Sequence, residues 1–138
     1  MIIAIRISGR VGVAPDRVAV LNNIRLRKKF AAALFREKDL GLLKIVQDKI
    51  AYGEIDNETL ALLISKRARK PGNHPITESA DVIIKKLEEG QKLEDLGLKP
   101  FFSLQPPRGG FKKSTKLLYP QGVLGDNKKI NDLVRRML

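Results

Sequence analysis

The spacing of the apolar residues alternates between a strand period and a helix period along the first 55 positions, and this alternation restricts the fold more than any other feature. MIIAIRI has isoleucine at every second position from Ile3 to Ile7, which predicts a strand. A helix is predicted to begin at Pro15, since proline is favoured at the first helical position. KFAAALFR predicts a second strand, Lys38 to Lys49 a helix, and IAYGEI a third strand. The order predicts a small three-stranded sheet with helices on one face.

The residues beyond the third strand predict further helices and one short strand. Asn57 is a candidate cap for a helix that ends in the cations of KRARK. Another helix is predicted from Thr77 to Gly90, followed by a short turn that Gly97 closes and a strand in FFSL. Asn127 is a candidate cap for a last amphipathic helix in NKKINDLVRRML. We therefore expect a single α+β domain with an appended C-terminal basic arm.

Positive charge is concentrated at the two ends of the chain. The 138 residues include 27 Lys and Arg against 15 Asp and Glu, a net charge of +12. Residues 1–30 and 101–138 each carry +6, whereas residues 31–60 carry −2 and residues 61–100 carry +2. Such an excess favours polyanionic partners, of which nucleic acid is the usual one and an anionic membrane surface the rival. We expect the acidic block, residues 31–60, to form core and a surface that faces solvent or protein, with little RNA contact.

The composition disfavours membrane and secreted proteins. No apolar run approaches the roughly 18–20 residues that a membrane-spanning helix needs. The apolar run in MIIAIRISGR is too short for a signal peptide, and its arginines lie on the wrong side. The chain has no cysteine, so it has neither a disulfide framework nor a thiolate metal site, which is compatible with the cytoplasm.

The residues typical of catalysis are not combined in this sequence. His74 is the only histidine, and without cysteine or a neighbouring acid it cannot complete a zinc site. GRVG, residues 9–12, lies between a strand and a helix as phosphate-binding loops do. It lacks the glycine spacing of dinucleotide-binding loops and the Gly-Lys-Ser/Thr of a P-loop, so we expect a simple turn. We expect no enzymatic activity, catalytic residue, metal, cofactor or small-molecule substrate.

The stretch QPPRGGFKKSTK, residues 105–116, has too few apolar groups for a core segment. Arg108 can bind a phosphate with its planar guanidinium, and the lysines that follow act as point charges. Gly109 and Gly110 allow the backbone to approach a partner closely. Phe111 either stacks on an unpaired base or anchors the loop to the core, and we favour the anchor. The residues leave open a nucleic-acid contact and a disordered basic loop without a fixed partner. We expect a segment that is mobile without RNA.

Four segments of the chain, in order, resemble one family. RISGRVGVAPDRVAVLNNIRLRKKF carries Arg-Ile-x-Gly, Gly-Val-x-Pro and Leu-Arg-Leu-Arg patterns, here at Arg6, Gly12, Val13, Pro15, Leu26 and Arg27. KIVQDKIAYGEI, the helix ending in KRARK, and PPRGGFKKSTK with INDLVRRML follow. Across nearly its whole length the chain resembles the archaeal type of large-subunit ribosomal protein L thirty, whose eukaryotic counterpart is called L seven.

The resemblance implies a ferredoxin-like β-α-β-α-β core with an antiparallel three-stranded sheet at about residues 1–55. A family-specific extension with a helical insertion and a C-terminal basic arm occupies about residues 56–138. It also implies a structural role in the large ribosomal subunit, in the cytoplasm, with large-subunit ribosomal RNA and neighbouring ribosomal proteins as partners. The residues expected to bind RNA are basic residues and two glycines: Arg10, Arg25, Arg27, Lys28, Arg67, Arg69, Arg108, Gly109, Gly110, Lys112, Lys113 and Lys116.

The chain departs from the family pattern in three places. Alanines occupy residues 31–33, where small polar residues are frequent, so RNA contact from that edge is not expected. Ala14 stands where a capping serine is usual, so the first helix should start without a side-chain cap. The chain begins at the first strand, without the long basic N-terminal arm of eukaryotic relatives, which favours an archaeal source.

Two other functions compete with a ribosomal role. A free nucleic-acid-binding regulator with its own dimer interface would share the same excess of positive charge. A phosphate-handling enzyme has only the GRVG segment in its favour.

Overall fold

The computed structural model describes most of the chain: residues 1–7, 9, 14–72, 74–75, 79–111, 114–119 and 121–138. For residues 75 and 114–116 it describes the backbone alone. The predicted helix start at Thr77 lies outside these residues.

The strands and helices of the described residues reproduce the predicted series and extend it. The strands are β1 (Ile2–Arg6), β2 (Ala31–Phe35), β3 (Ile50–Glu54), β4 (Arg69–Lys70), β5 (His74–Pro75), β6 (Phe102–Ser103), β7 (Ser114–Leu118) and β8 (Gly122–Asp126). The helices are α1 (Pro15–Asn23), α2 (Leu40–Ile45), α3 (Asn57–Arg67), α4 (Ala80–Glu88) and α5 (Ile130–Met137). Single 3₁₀ turns at Glu37–Asp39 and Glu94–Leu96 precede α2 and β6. The predicted β-α-β-α-β order is present as β1-α1-β2-α2-β3, and the α+β class is confirmed.

The central strand of the main sheet is β1. The strand order is β6-β2-β1-β3-β8-β7. β1 is antiparallel to both β2 and β3, β6 is antiparallel to β2, and β8 is parallel to β3. β7 lies along β8 in an irregular register, and β4 pairs with β5 separately.

The predicted antiparallel trio is therefore the centre of a wider sheet. The predicted antiparallel three-stranded core is confirmed as β2-β1-β3, and within the described residues further strands extend the sheet to six. Three strands alone would leave the hydrogen-bonding groups of β2 and β3 exposed at two edges. The C-terminal part of the chain supplies β6 and β8, which pair with those edges.

The side chains of β1 are buried because helices cover both faces of the sheet. Ile3, Ile5 and the following Ile7 pack in one apolar cluster with α3, α4 and α5. Ile2 and Ala4 pack in a second cluster with α1 and α2. The predicted isoleucine face is confirmed, whereas the prediction of helices on one face was incomplete. Successive apolar residues along β1 leave no polar face, so a second helical layer is needed.

The predicted extension provides the cover for one of these faces. Leu63 of α3, Ile83 of α4 and Val134 of α5 are fully buried in the cluster that contains Ile3 and Ile5. Fully burying an aliphatic side chain of this size contributes about 1.5–3 kcal/mol. The two parts of the family pattern, divided near residue 55, thus share one core.

Two helix starts differ from the predicted ones. Asp56 caps α3, because its Oδ1 accepts the backbone N–H of Thr59 at 2.7 Å, and Asn57 is the first helical residue. An N-cap side chain reaches the amide two or three positions ahead, which Asp56 does here. Asn127 does not cap α5 directly. Its Oδ1 accepts the backbone N–H of Lys129 at 2.9 Å and closes the turn before the helix.

Other predicted boundaries are confirmed or shortened. α1 starts behind Ala14 without a side-chain cap, as predicted. Gly90 and Gly97 follow their helical turns with left-handed φ angles of 99° and 73°. The helix predicted from Lys38 to Lys49 is shorter, because the residues after α2 form turns before β3. No helix in the described ranges combines the length and the hydropathy needed to cross a membrane.

Gly53 of β3 lies where the start of α5 meets the sheet. A Cβ at this position would be 2.5 Å from the carbonyl oxygen of Asn127 and 2.9 Å from Cγ2 of Ile130. The N–H of Asn127 donates to the carbonyl of Tyr52 at 2.8 Å, which fixes the approach. A backbone oxygen held in this way cannot move aside cheaply, so the crossing requires glycine.

Two glycine-to-alanine substitutions should therefore have opposite effects on stability. Gly53→Ala should lower the free energy of unfolding by about 1–3 kcal/mol, because the added methyl group overpacks the crossing. Gly41→Ala in α2, where a Cβ meets nothing within 4 Å, should raise it by roughly 0.5–1 kcal/mol. Urea unfolding monitored by circular dichroism measures both. Equal changes in the free energy of unfolding for the two variants would contradict the close approach of α5 to β3.

The Asp56 cap should also appear in the pH dependence of stability. Hydrogen bonds from the Thr59 side chain and backbone, aided by the charge of Arg135, lower the pKa of Asp56 below its usual value. A carboxyl with a lowered folded-state pKa stabilises the fold above its unfolded pKa and loses that contribution as pH falls through the folded pKa. Asp56→Asn keeps a capping oxygen but does not titrate. We expect this variant to be somewhat less stable than the parent at pH 7, because the charge of the capping group is lost, and to lose less stability below about pH 4. Identical acid profiles would contradict this.

Candidate nucleic-acid interface

Two loops from the two basic ends of the chain meet beside the end of β1. The first basic loop, residues 24–30, joins α1 to β2, and the arginine-glycine loop, residues 104–111, follows β6. The N–H of Leu104 donates to the carbonyl of Phe30 at 3.0 Å. The rings of Phe30 and Phe111 stack with 6.2 Å between centroids and 26° between planes. The two segments of net charge +6 in the sequence therefore adjoin in the fold.

Phe111 is the anchor of the arginine-glycine loop. Its side chain is partly buried, and it packs against the same apolar cluster that contains Ile3 and Ile5. Phe30 packs there too, and the Nζ of Lys29 lies 5.1 Å from the centroid of its ring. The anchor interpretation of Phe111 is confirmed.

The first basic loop has an unusual backbone at both ends. Arg25 and Phe30 have positive φ angles of 68° and 65°, which non-glycine residues rarely adopt. Between them the side chains of Arg27 and Lys28 are exposed. Arg25 is half exposed and forms an ion pair with Glu94 at 3.3 Å. A surface pair of this kind is worth only about 0–1 kcal/mol, so a phosphate can compete for Arg25.

Arg6 lies beneath this loop and is only 2% exposed. Its Nη1 donates to the carbonyls of Leu26 at 2.8 Å and Arg27 at 3.0 Å. Its Nη2 donates to the carbonyl of Gly9 at 3.3 Å. From the sequence Arg6 stands out only as part of the family pattern, because the burial of a cation leaves no mark in composition or periodicity.

The arginine-glycine loop is docked on the C-terminal end of α5. The N–H of Gln105 donates to the carbonyl of Met137, and the N–H of Arg108 to that of Arg136, both at 3.0 Å. Nη2 of Arg108 lies 3.5 Å from the carbonyl of Arg135. The last carbonyls of a helix lack intrahelical partners, so this loop satisfies groups that would otherwise need water. These contacts with α5 were not expected from the sequence. The mobility of the segment in the absence of RNA stays a prediction.

Gly109 and Gly110 form the tip of the loop. Their φ angles are 76° and 73°, and the N–H of Gly110 donates to the carbonyl of Pro107 at 3.0 Å. A Cβ at either glycine would meet no atom within 4 Å. Glycine is thus needed for the turn itself, and the space outside the turn is open to a partner.

Several expected RNA-binding residues fall where the structure gives little or nothing. Arg10, Lys112 and Lys113 lie outside the described residues. Lys116 is part of β7, and for this residue the structure describes the backbone alone. Their assignment to RNA stays a prediction.

Arg67 and Arg69 belong to a second basic group at the end of α3. Nη1 of Arg69 donates to the carbonyl of Ala68 at 2.9 Å, and the carbonyl of Arg69 accepts the N–H of Lys99 at 2.9 Å. Arg67 is half-buried, and its buried Nε has no hydrogen-bond partner within the described part of the chain. Cations at the C-terminal end of α3 also interact favourably with the negative end of the helix dipole. Their presence there is therefore explained without RNA binding.

Further basic side chains at the two ends of α5 were not among the expected residues. Lys128 and Lys129 are exposed before α5, and Arg136 is partly exposed at its end. The pairs KK and RR within the C-terminal segment were the signal that could have indicated them. Arg135 is different, since it donates to Oγ1 of Thr59 at 3.1 Å and forms an ion pair with Glu58 at 3.6 Å.

The described residues also bear on catalysis and metal binding. Within them no group of three His, Cys, Asp or Glu side chains could hold a metal ion. His74 is exposed and lies opposite Lys70 in the short β4–β5 pair.

Comparison with known proteins identifies the family. No protein-family model matches the chain. Large ribosomal subunit protein uL30 of Aeropyrum pernix is 38% identical to it over 97% of this chain and 96% of that protein. The proteins of the same name from Staphylothermus marinus and Nitrosopumilus maritimus are 41% and 36% identical, over 97% and 99% of this chain and 96% and 97% of their own lengths.

These archaeal relatives match nearly the whole chain, which also agrees with the archaeal character expected from the sequence. A family of ribosomal proteins agrees as well with the expectation that the chain is not an enzyme. The chain belongs to the family of large ribosomal subunit protein uL30, the family that its sequence patterns indicated as L thirty.

Proposed function

We propose that this protein is a structural constituent of the large ribosomal subunit, in the cytoplasm, and that it binds and stabilises large-subunit ribosomal RNA. In this role it supports subunit assembly and translation. Family membership supports the ribosomal part of the proposal. The RNA-binding part is supported by one observation above all, the junction of the two basic loops at the Phe30–Phe111 stack.

The junction matters because a phosphate backbone is a continuous polyanion. Each neutralised phosphate releases counterions, and the gain accumulates along the strand. Arg27 and Lys28 from one loop and Arg108 from the other are exposed around a single apolar anchor, so one RNA segment can contact both loops. The residues proposed for RNA contact are Arg10, Arg25, Arg27, Lys28, Arg67, Arg69, Arg108, Gly109, Gly110, Lys112, Lys113 and Lys116.

The acidic block is proposed to face a neighbouring ribosomal protein. It provides core residues such as Leu43, Val46 and Ile50, as expected from its apolar pattern. Its helix α2 also leaves Leu42 and Ile45 exposed, at 45% and 53%. Apolar side chains on a block of net charge −2 suit a protein neighbour better than a phosphate backbone.

Paired alanine substitutions test the RNA surface against overall charge. Arg27→Ala/Lys28→Ala and Lys112→Ala/Lys113→Ala each remove two positive charges. Each pair should lower the slope of log affinity against log salt by up to about two, because each neutralised phosphate accounts for roughly 0.9 of that slope on duplex and somewhat less on single strands. The measurement is affinity for a transcript of archaeal large-subunit ribosomal RNA across a salt series, with thermal unfolding as the check on folding.

Lys38→Ala/Lys44→Ala in the acidic block is the matched control. Both lysines are exposed, and the change in net charge is the same. The control should keep the salt slope of the parent. A flat salt response of the parent, or equal slopes in all three variants, would remove the basis of the proposed surface.

Co-sedimentation separates a ribosomal role from a free regulator. The tagged protein, expressed in an archaeal host, should sediment with large ribosomal subunits after washing at moderate salt. Recovery as a free RNA-bound dimer would instead support the regulator.

A further inference from the structure

We propose that Arg6 is the positioning residue of the RNA-binding surface: its buried guanidinium sets the conformation of the first basic loop. This inference rests on the proposed function, because the loop matters for RNA only if the protein binds RNA through it.

Arg6 contacts both ends of the exposed part of the loop. Its side chain donates to the carbonyls of Leu26 and Arg27 at 2.8 and 3.0 Å. Its own carbonyl accepts the N–H of Phe30 at 2.7 Å. Lys28 and Lys29, which lie between these points, are exposed. One residue of the central strand therefore fixes where this basic segment begins and where it ends.

The backbone of the loop needs such a restraint. Arg25 and Phe30 have left-handed φ angles, and conformations of this kind persist only where the surrounding structure holds them. The carbonyl of Arg27 accepts from Arg6 while the Arg27 side chain is exposed, and the side chain of the neighbouring Leu26 is fully buried in the core. Without the guanidinium, the loop can relax toward ordinary backbone angles, and Arg27 and Lys28 then lose their fixed direction.

The geometry calls for arginine rather than any cation. The planar guanidinium presents donors in a fixed fork, and here its two Nη atoms reach two different segments, 24–30 and the one that contains Gly9. Lysine offers a single nitrogen at the end of a flexible stem and cannot span these carbonyls. A buried charge is tolerated at this site because carbonyl dipoles surround it.

Three variants test the assignment with a transcript of archaeal large-subunit ribosomal RNA. Arg6→Met and Arg6→Lys should both weaken binding by about ten-fold near 0.1 M salt for each phosphate that the loop no longer neutralises, and lower the salt slope. Failure of lysine to restore binding separates hydrogen-bond geometry from charge. Arg36→Met is the control for loss of one arginine charge, because the hydrogen bond from Arg36 to a backbone carbonyl, that of Leu87 at 3.2 Å, involves neither loop. It should bind with the parent's affinity.

A double-mutant cycle gives a readout that a purely structural role would not produce. If Arg6 acts through the loop, Arg6→Met in the Arg27→Ala/Lys28→Ala background should cause little further decrease in affinity. If the combined variant instead shows the product of the two separate fold-decreases in RNA affinity, the proposal is wrong. It is also wrong if Arg6→Met keeps the affinity and the salt slope of the parent.

A measurement on the unaltered protein covers the case in which Arg6 variants do not fold. In nitrogen-15 NMR spectra, the Nη signals of Arg6 should be resolved, because carbonyls on two segments restrict rotation of the guanidinium. A single averaged signal, typical of a freely rotating side chain, would overturn the positioning role.

The two proposals fail separately. If Arg27→Ala/Lys28→Ala leaves RNA binding unchanged, the proposed RNA surface is wrong whatever Arg6 does. If that pair weakens binding and Arg6→Met does not, the surface stands and the role of Arg6 is refuted.

Discussion

A strand that is apolar at successive positions must be covered on both sides, and the arrangement of this protein follows from that requirement at β1. On one face of the sheet, Ile3 and Ile5 pack against α3, α4 and α5. On the other face, Ile2 and Ala4 pack against α1 and α2. The same strand pairs with β2 and β3 through its backbone. Its polar end, Arg6, then reaches the loop that leaves α1. Burial of β1 thus organises the core and the candidate surface together.

The candidate surface uses groups that already serve the fold. The backbone of the arginine-glycine loop satisfies carbonyls at the end of α5, and Phe111 fills a place at the edge of the core. Arg25 is paired with Glu94. Only weak or solvent-exposed contacts would be exchanged on binding a phosphate backbone, since a surface ion pair is worth little and Arg27 and Lys28 are exposed. For the described residues, these contacts within the protein offset part of the entropy cost of ordering this surface.

The parts of the fold with strong local periodicity could be predicted, and those that depend on distant partners could not. Alternating isoleucines indicated β1, and Pro15 marked the start of α1. β8 was missed because Gly122 and Gly125 interrupt its apolar residues, and its strand character comes from pairing with β3. The cap of α3 was displaced by one position because Asp56 and Asn57 are both suitable caps. At the site, the concentration of positive charge in residues 1–30 and 101–138 predicted which parts of the chain form the candidate surface. The buried position of Arg6 required the fold.

The parallel pairing of β3 with β8 has a consequence for the order in which the chain is made. Ala51 lies opposite Gly125, and Ala32 lies opposite Phe102 in β6. While the chain is being synthesised, the β-α-β-α-β segment emerges well before either of these partners. Until they follow, both edges of its sheet and the apolar face later covered by α5 are open to other chains. The nascent protein thus passes through a stage with exposed strand edges beside a strongly cationic terminus, and prompt completion or a transient partner would protect it.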